Sequence, residues 1–224
     1  MHISAIIPAF NEEEYIGATI TALKKANIID EIIVVDDGSN DKTGEIANQF
    51  NIKLLQLPQN SGKGAALNYG ASEATGDIIC LLDADLGDSA IEVLKLISPI
   101  KTGTADVVIG RFPRKRKKAG FGLVKGLASW GIKSFTGLQF LEPLSGQRAL
   151  TRAALLSLLP FADGFGVEVL LTIKALKKGF NVIEVDTNMT HQESGRNLPG
   201  FIHRGRQFTH VVRTLLKARG LRYE

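Results

Sequence analysis

The chain has 224 residues, 44% of them hydrophobic and 22% charged, enough for one large domain with a substantial core. Its 27 basic and 23 acidic residues leave a formal charge of +4, too small to make nucleic acid the default partner. A single cysteine, Cys80, excludes an intramolecular disulfide, no run reaches the ~18 apolar residues of a membrane span, and the chain opens directly on a strand, so a cytoplasmic protein is expected.

The first half alternates. Ile3 to Ile7 reads as a strand and Glu12 to Ala26 as a helix. Glu31 to Val35 is an almost unbroken apolar strand, and Asp41 to Phe50 a helix with Ser39 or Asn40 as its N-cap. Ile52 to Leu57 (strand), Lys63 to Ala74 (helix), Ile78 to Leu82 (strand), Ser89 to Ile100 (helix) and Asp106 to Ile109 (strand) follow. Short apolar strands between helices of about 10–15 residues indicate βαβ units and a mostly parallel sheet. The second half is less regular. Six cations crowd residues 111–118, in a segment read as an exposed loop, and Gly122 to Thr136 reads as an amphipathic helix. Leu144 to Leu150 suggests a strand, Val167 to Lys178 a helix, Val182 to Val185 a strand, Met189 to Gly200 a polar loop and Phe201 to Ala218 a basic helix. The expected organisation is one domain with two halves, residues 1–110 and 111–224.

Open parallel sheets bind ligands beyond the carboxyl ends of their strands. Three strands here finish in polar groups: Pro8-Ala9-Phe10-Asn11-Glu12-Glu13, Asp36-Asp37-Gly38-Ser39 and Asp83-Ala84-Asp85. A 3-2-1-4 strand order would place these ends side by side. Two carboxylates flanking a small residue suit a hard divalent cation that leaves most of its shell to phosphate and water. Asp85 is the better placed ligand. Asp37 can accept from a uracil-type N–H, and Glu12 or Asp83 from ribose hydroxyls. Asn60-Ser61-Gly62-Lys63-Gly64 opens the third helix, where free N–H groups and Lys63 would meet a diphosphate. Neither the P-loop spacing nor the dinucleotide fingerprint is present. Gly195 and Gly200 could hinge a lid over the site, with Arg196 as a phosphate contact.

Taken together, these ordered motifs and Gly62-Lys63-Gly64 resemble family 2-type GT-A glycosyltransferases over roughly residues 1–110. The resemblance implies a Rossmann-like GT-A sheet with an acceptor-side helical extension, a donor nucleotide held by Pro8, Ala9, Phe10, Glu12, Asp37, Lys63, Asp83 and Ala84, and Mg²⁺ or Mn²⁺ at the D-x-D. Pro143-Leu144-Ser145-Gly146-Gln147-Arg148-Ala149, Gly164-Phe165-Gly166-Val167-Glu168 and His191 are similar to glucosyl-3-phosphoglycerate synthases. The resemblances imply UDP-glucose, or else a GDP-sugar, as donor, UDP-glucose being favoured, and a small phosphorylated acceptor such as 3-phosphoglycerate. The similarity to the synthases implies metal ligation by His191 and Asp85, with Asp83 alongside. It also implies Lys63 at the diphosphate, Glu168 near the acceptor, and Gly146 and Gly166 on the acceptor or lid side. Asp85, Glu168 and Lys63 are the expected catalytic groups. A homodimer is a family-level expectation. Where the synthases carry an arginine and a threonine for the acceptor, this chain has Gly120-Phe121-Gly122-Leu123.

Polyprenyl-phosphate glycosyltransferases such as dolichyl-phosphate mannose synthase share the same first half. The 111–118 cations followed by the Gly122–Thr136 helix resemble their membrane-facing segment, which implies peripheral membrane contact through residues 111–136. A binding module without catalysis would use the same basic face but leaves the acidic strand ends unexplained. A nucleotidyltransferase would need a basic glycine-rich loop after the first strand, where Pro8 to Glu13 is acidic.

Overall fold

The computed structural model describes residues 1–113, 122–162 and 166–190. Seven strands form one sheet in the order β3-β2-β1-β4-β6-β5-β7. They are β1 Ile3–Ala9, β2 Glu31–Asp36, β3 Lys53–Gln56, β4 Ile78–Leu81, β5 Val107–Arg111, β6 Arg148–Thr151 and β7 Val182–Asp186. The expected 3-2-1-4 order is present, and all pairings are parallel except those of β6, which runs antiparallel to both β4 and β5. The fold is therefore α/β with a mostly parallel sheet.

Side-chain alternation along β1 divides the core. Ile3, Ala5, Ile7 and Ala9 face α1 (Ile16–Lys25) and α4 (Val93–Lys101), while Ile6 faces α3 (Lys63–Glu73), α6 (Arg152–Leu158) and α7 (Val167–Lys177). All five are at most 2% exposed, so apart from the buried Ser4 β1 is the apolar run expected of a strand buried on both faces. Packing of α3 is close: a Cβ on Gly70 would lie 2.4 Å from Ile6 Cγ2. A third cluster joins α5 (Gly122–Thr136) to α7 through Val124, Ala128, Ile132, Val169 and Ile173.

Several element bounds differ from the sequence reading. Residues 12–15 form a turn before α1, in which the Tyr15 and Ile16 N–H groups both donate to the Glu12 carbonyl. α2 is only Thr43–Ala47, and neither Ser39 nor Asn40 caps it. Ser39 Oγ instead accepts the Asn11 N–H, and the Asn40 N–H donates to Asn11 Oδ1. The helix expected from Ser89 begins as a 3-10 segment, Ala84–Glu92, kinked at Gly87 (φ 51°), and becomes α4 at Val93. α6, which the sequence reading left out, is capped by Thr151 Oγ1 accepting the Ala154 N–H. Among the described residues no helix is long and apolar enough to cross a membrane.

Candidate active site

The carboxyl ends of β1, β2 and β4 lie side by side, with Ala9 beside Asp36 and Ile6 beside Leu81 in register. Each end is held differently. Asp36 is buried and accepts the Ser39 N–H, closing the 36–39 turn. Asp37, also buried, accepts the Ser61 and Gly62 N–H groups at 2.8 Å each. It straps the end of β2 to the start of α3 and keeps further lone pairs for a ligand. Gly38 (φ 72°) permits this approach, because a Cβ there would lie 2.6 Å from the Gln59 backbone. Pro8 and Ala9 are in β1, and Phe10 projects outward, 38% exposed.

Lys63 is the first residue of α3, and its Nζ bridges two carboxylates. It lies 2.7 Å from Asp83 Oδ1 and 2.9 Å from Glu168 Oε1. Burial pulls its pKa down, but Asp83 and Glu168 outweigh that pull, raise the pKa and fix the ammonium in its charged form. Glu168 stands in the first turn of α7, where the helix dipole favours an acid. Gly146 lies against the same pair: a Cβ there would be 2.6 Å from Lys63 Nζ and 2.8 Å from Asp83 Oδ1. Lys63, Asp83, Gly146 and Glu168, assigned from separate motifs, therefore meet at one point. Gly166 is the N-cap of α7.

Asp85 follows in the 3-10 segment, whose start is anchored by Thr19. The buried Thr19 hydroxyl donates to the Ala84 carbonyl and accepts the Gly87 N–H. Glu12 sits opposite. Burial first, then the charges of Asp85, Asp83, Asp41 and Glu14, push its carboxyl up to about 7. This crowding of carboxylates is the chemistry a hard dication would relieve. Among the described residues no group of three His, Cys, Asp or Glu side chains converges to hold a metal ion. His191 and Arg196, the basic run at 114–118 and the basic tail lie outside the described residues.

Gln147 and Arg148 belong to a motif quoted above, but the sequence suggested no role for either. Gln147 reaches Asp83, and Arg148 reaches α7. The Arg148 guanidinium is fully buried and donates to the Ser145 and Glu168 carbonyls and to Thr172 Oγ1. Burial lowers its pKa to about 10, against the attraction of Glu168 and Glu184. Further along the same edge, a cavity of about 310 Å³ opens between the ends of β5 and β7, lined by Arg111, Phe112, Glu142, Asp186 and Asn188 among others. Arg111 pairs with Asp186 there at 2.6 Å, while its Nε is buried with no hydrogen-bond partner among the described residues.

The family model for glycosyl transferase family 2 matches residues 4–156. The chain belongs to glycosyl transferase family 2. Among relatives of this family 2 enzyme is the glucosyl-3-phosphoglycerate synthase of Mycolicibacterium smegmatis, 33% identical in an alignment that covers 76% of this chain and 63% of that protein. The chain thus spans less than two thirds of that relative. An uncharacterized protein of Methanocaldococcus jannaschii is 33% identical over 85% of this chain and 82% of its own length. Among solved structures, the Mycobacterium tuberculosis glucosyl-3-phosphoglycerate synthase bound to phosphoglyceric acid superposes with a TM-score of 0.82 at 28% identity, over 100% of this chain and 81% of that one. The same synthase with Mn²⁺, UDP-glucose and phosphoglyceric acid gives 0.81 at 26% identity, over 100% and 81%. These likenesses fit the mostly parallel GT-A sheet described above.

Proposed function

We propose that this glycosyltransferase moves glucose from UDP-glucose to a small phosphorylated acid of the 3-phosphoglycerate type, with Mg²⁺ or Mn²⁺ as cofactor. The observation that carries the reading is Lys63, poised at the start of α3 between Asp83 and Glu168. Helix-start N–H groups and an ammonium together form a diphosphate site. Asp85 and Asp83 offer the hard oxygen donors that Mg²⁺ or Mn²⁺ takes, with phosphate and water completing the shell, and His191 is the further ligand. The bound metal supplies positive charge where the diphosphate leaves.

The protein groups divide the remaining work. Lys63 turns from its carboxylates to the diphosphate and stabilises the charge that develops there. That turn uncovers Glu168 to hold an acceptor or sugar hydroxyl. Glu12 and Asp83 face the ribose. The β5–β7 cavity gives the acceptor room, with Arg111 as its cation.

Turnover with a panel of nucleotide sugars, Mg²⁺ or Mn²⁺, and 3-phosphoglycerate or a short polyprenyl phosphate tests the proposal. Activity confined to GDP-sugars or to the polyprenyl phosphate would overturn it. The second outcome corresponds to a membrane-surface enzyme, and Trp130 (64% exposed) and Leu138 (52% exposed) on and after α5 favour that rival reading. Against it, two residues of the α5 polar line bond within the protein: Lys125 pairs with Glu142, and Ser129 Oγ donates to the Phe140 carbonyl.

A further inference from the structure

We propose that Gln147 is a positioning residue that fixes the carboxylate plane of Asp83, so that Asp83 presents to the donor or its metal the oxygen that now faces Lys63. The inference rests on the donor-site reading above. Gln147 is completely buried and stands immediately before β6. Its Oε1 accepts the Asp83 N–H at 3.1 Å, and its Nε2 donates to Asp83 Oδ2. The amide orientation is fixed by its partners, since an N–H must donate and a carboxylate must accept. Asp83 Oδ1 faces Lys63 instead.

The frame around Gln147 is stiff. Its carbonyl accepts the Gly110 N–H of β5 at 2.8 Å, and its own N–H donates to Ser145 Oγ. Gly146 on one side is pressed against Lys63, and Arg148 on the other is bonded to α7. Lys63 has a long flexible stem, 32% exposed, and can swing toward a diphosphate. Asp83 cannot follow it, because Gln147 holds both its backbone N–H and Oδ2. When Lys63 leaves, Oδ1 passes from ammonium to ligand while the carboxylate keeps its plane. Glutamate at position 147 would still accept the Asp83 N–H but would set a second negative charge against Oδ2. Methionine would make neither bond.

The test uses the whole chain and two readouts, UDP affinity by calorimetry with and without Mn²⁺, and thermal melting. Gln147→Glu should weaken Mn²⁺-dependent UDP binding about ten-fold or more, the scale of a lost charge-assisted hydrogen bond. In an Asp83→Asn background, Gln147→Met should add less than about two-fold, because the residue acts through Asp83. The exchanged pair, Asp83→Asn with Gln147→Glu, restores a donor–acceptor match and should regain the melting temperature without regaining affinity. Failure of the exchanged pair to regain the melting temperature, an added loss well beyond two-fold in the Asp83→Asn background, or parent-like UDP binding by Gln147→Glu would overturn the proposal. Should Gln147→Glu fail to fold, Gln147→Met carries the same measurement. The parent is measured first with UDP, GDP and ADP. Binding of none of them overturns the donor-site reading and this proposal together, whereas parent binding with indifferent variants overturns this proposal alone.

Discussion

Replacing Lys63 by methionine keeps the stem and removes the charge, leaving Asp83 and Glu168 to face one another across the vacated point. At an effective dielectric near 20, a contact of the 2.7–2.9 Å found here is worth roughly 6 kcal/mol before desolvation is counted. Desolvation cancels much of that, and solvent screens Asp83, whose side chain is 30% exposed. The Glu168 side chain is only 10% exposed, so its charge loses its compensation. Breaking a fully buried pair costs 3–5 kcal/mol, which scales here to about 2–3 kcal/mol at neutral pH. Urea unfolding measures this loss directly. Adding Glu168→Gln should recover most of the stability but none of the transfer activity, which Lys63→Met should lower about 10²–10³-fold. A Lys63→Met protein as stable as the parent at neutral pH would refute the argument, since the ion triad would then contribute nothing. Recovery of activity in the double variant would refute the diphosphate role.

Glu12→Gln tests the crowded acid. Glu12's raised pKa means that the folded chain binds this proton more tightly than the unfolded chain, so stability is lost as the pH rises from 4.5 toward 7. The neutral variant should be about 1–2 kcal/mol more stable than the parent near pH 8, with the gain vanishing near pH 4; a gain present only in acid would reverse the sign. Arg148→Met loses three hydrogen bonds but also relieves a burial cost of roughly 3 kcal/mol, so a net destabilisation of about 1–3 kcal/mol is expected in denaturant titration. Gly146→Ala would press a Cβ against both the Lys63 ammonium and the clamped Asp83 carboxylate, so it should cost about ten-fold or more in UDP affinity and lower the melting temperature as well. Asp85→Asn should abolish the Mn²⁺ dependence of UDP binding, and an unchanged metal dependence would remove Asp85 from the metal site.

The donor side was legible because its physics is local. Strands buried on both faces must be apolar runs, and the polar groups that end them must lie at one edge, so with a 3-2-1-4 order Asp36-Asp37 and Asp83-Ala84-Asp85 could be placed on either side of the β1 end. Helix ends were less legible. Glu12 to Tyr15 has helical composition but serves the loop around Asn11, whose φ of 56° prevents a regular helix start there. The acceptor side hid its logic in long-range contacts. β6 is four residues long and begins with a buried arginine, so the strand read over Leu144 to Leu150 starts too early, and only 148–150 of it belong to β6. Gln147 and Arg148 read as surface residues by type, and the partners that justify their burial, Asp83 and Glu168, lie 64 and 20 residues away.

The reversed strand β6 also governs the order in which this protein can assemble. β5 touches β4 only through β6, so the strand at 107–111 has no neighbour on that side until residues 148–151 arrive. Closing so large a loop is a slow entropic step. During synthesis, β1 to β4 can pair as they emerge, yet Asp83 acquires its Gln147 clamp only some sixty residues later. A nascent chain arrested before that point should hold a sheet and a helix start but no ordered Lys63–Asp83–Glu168 triangle. The protein should therefore gain its nucleotide affinity in a single late event rather than gradually as its donor-side elements form.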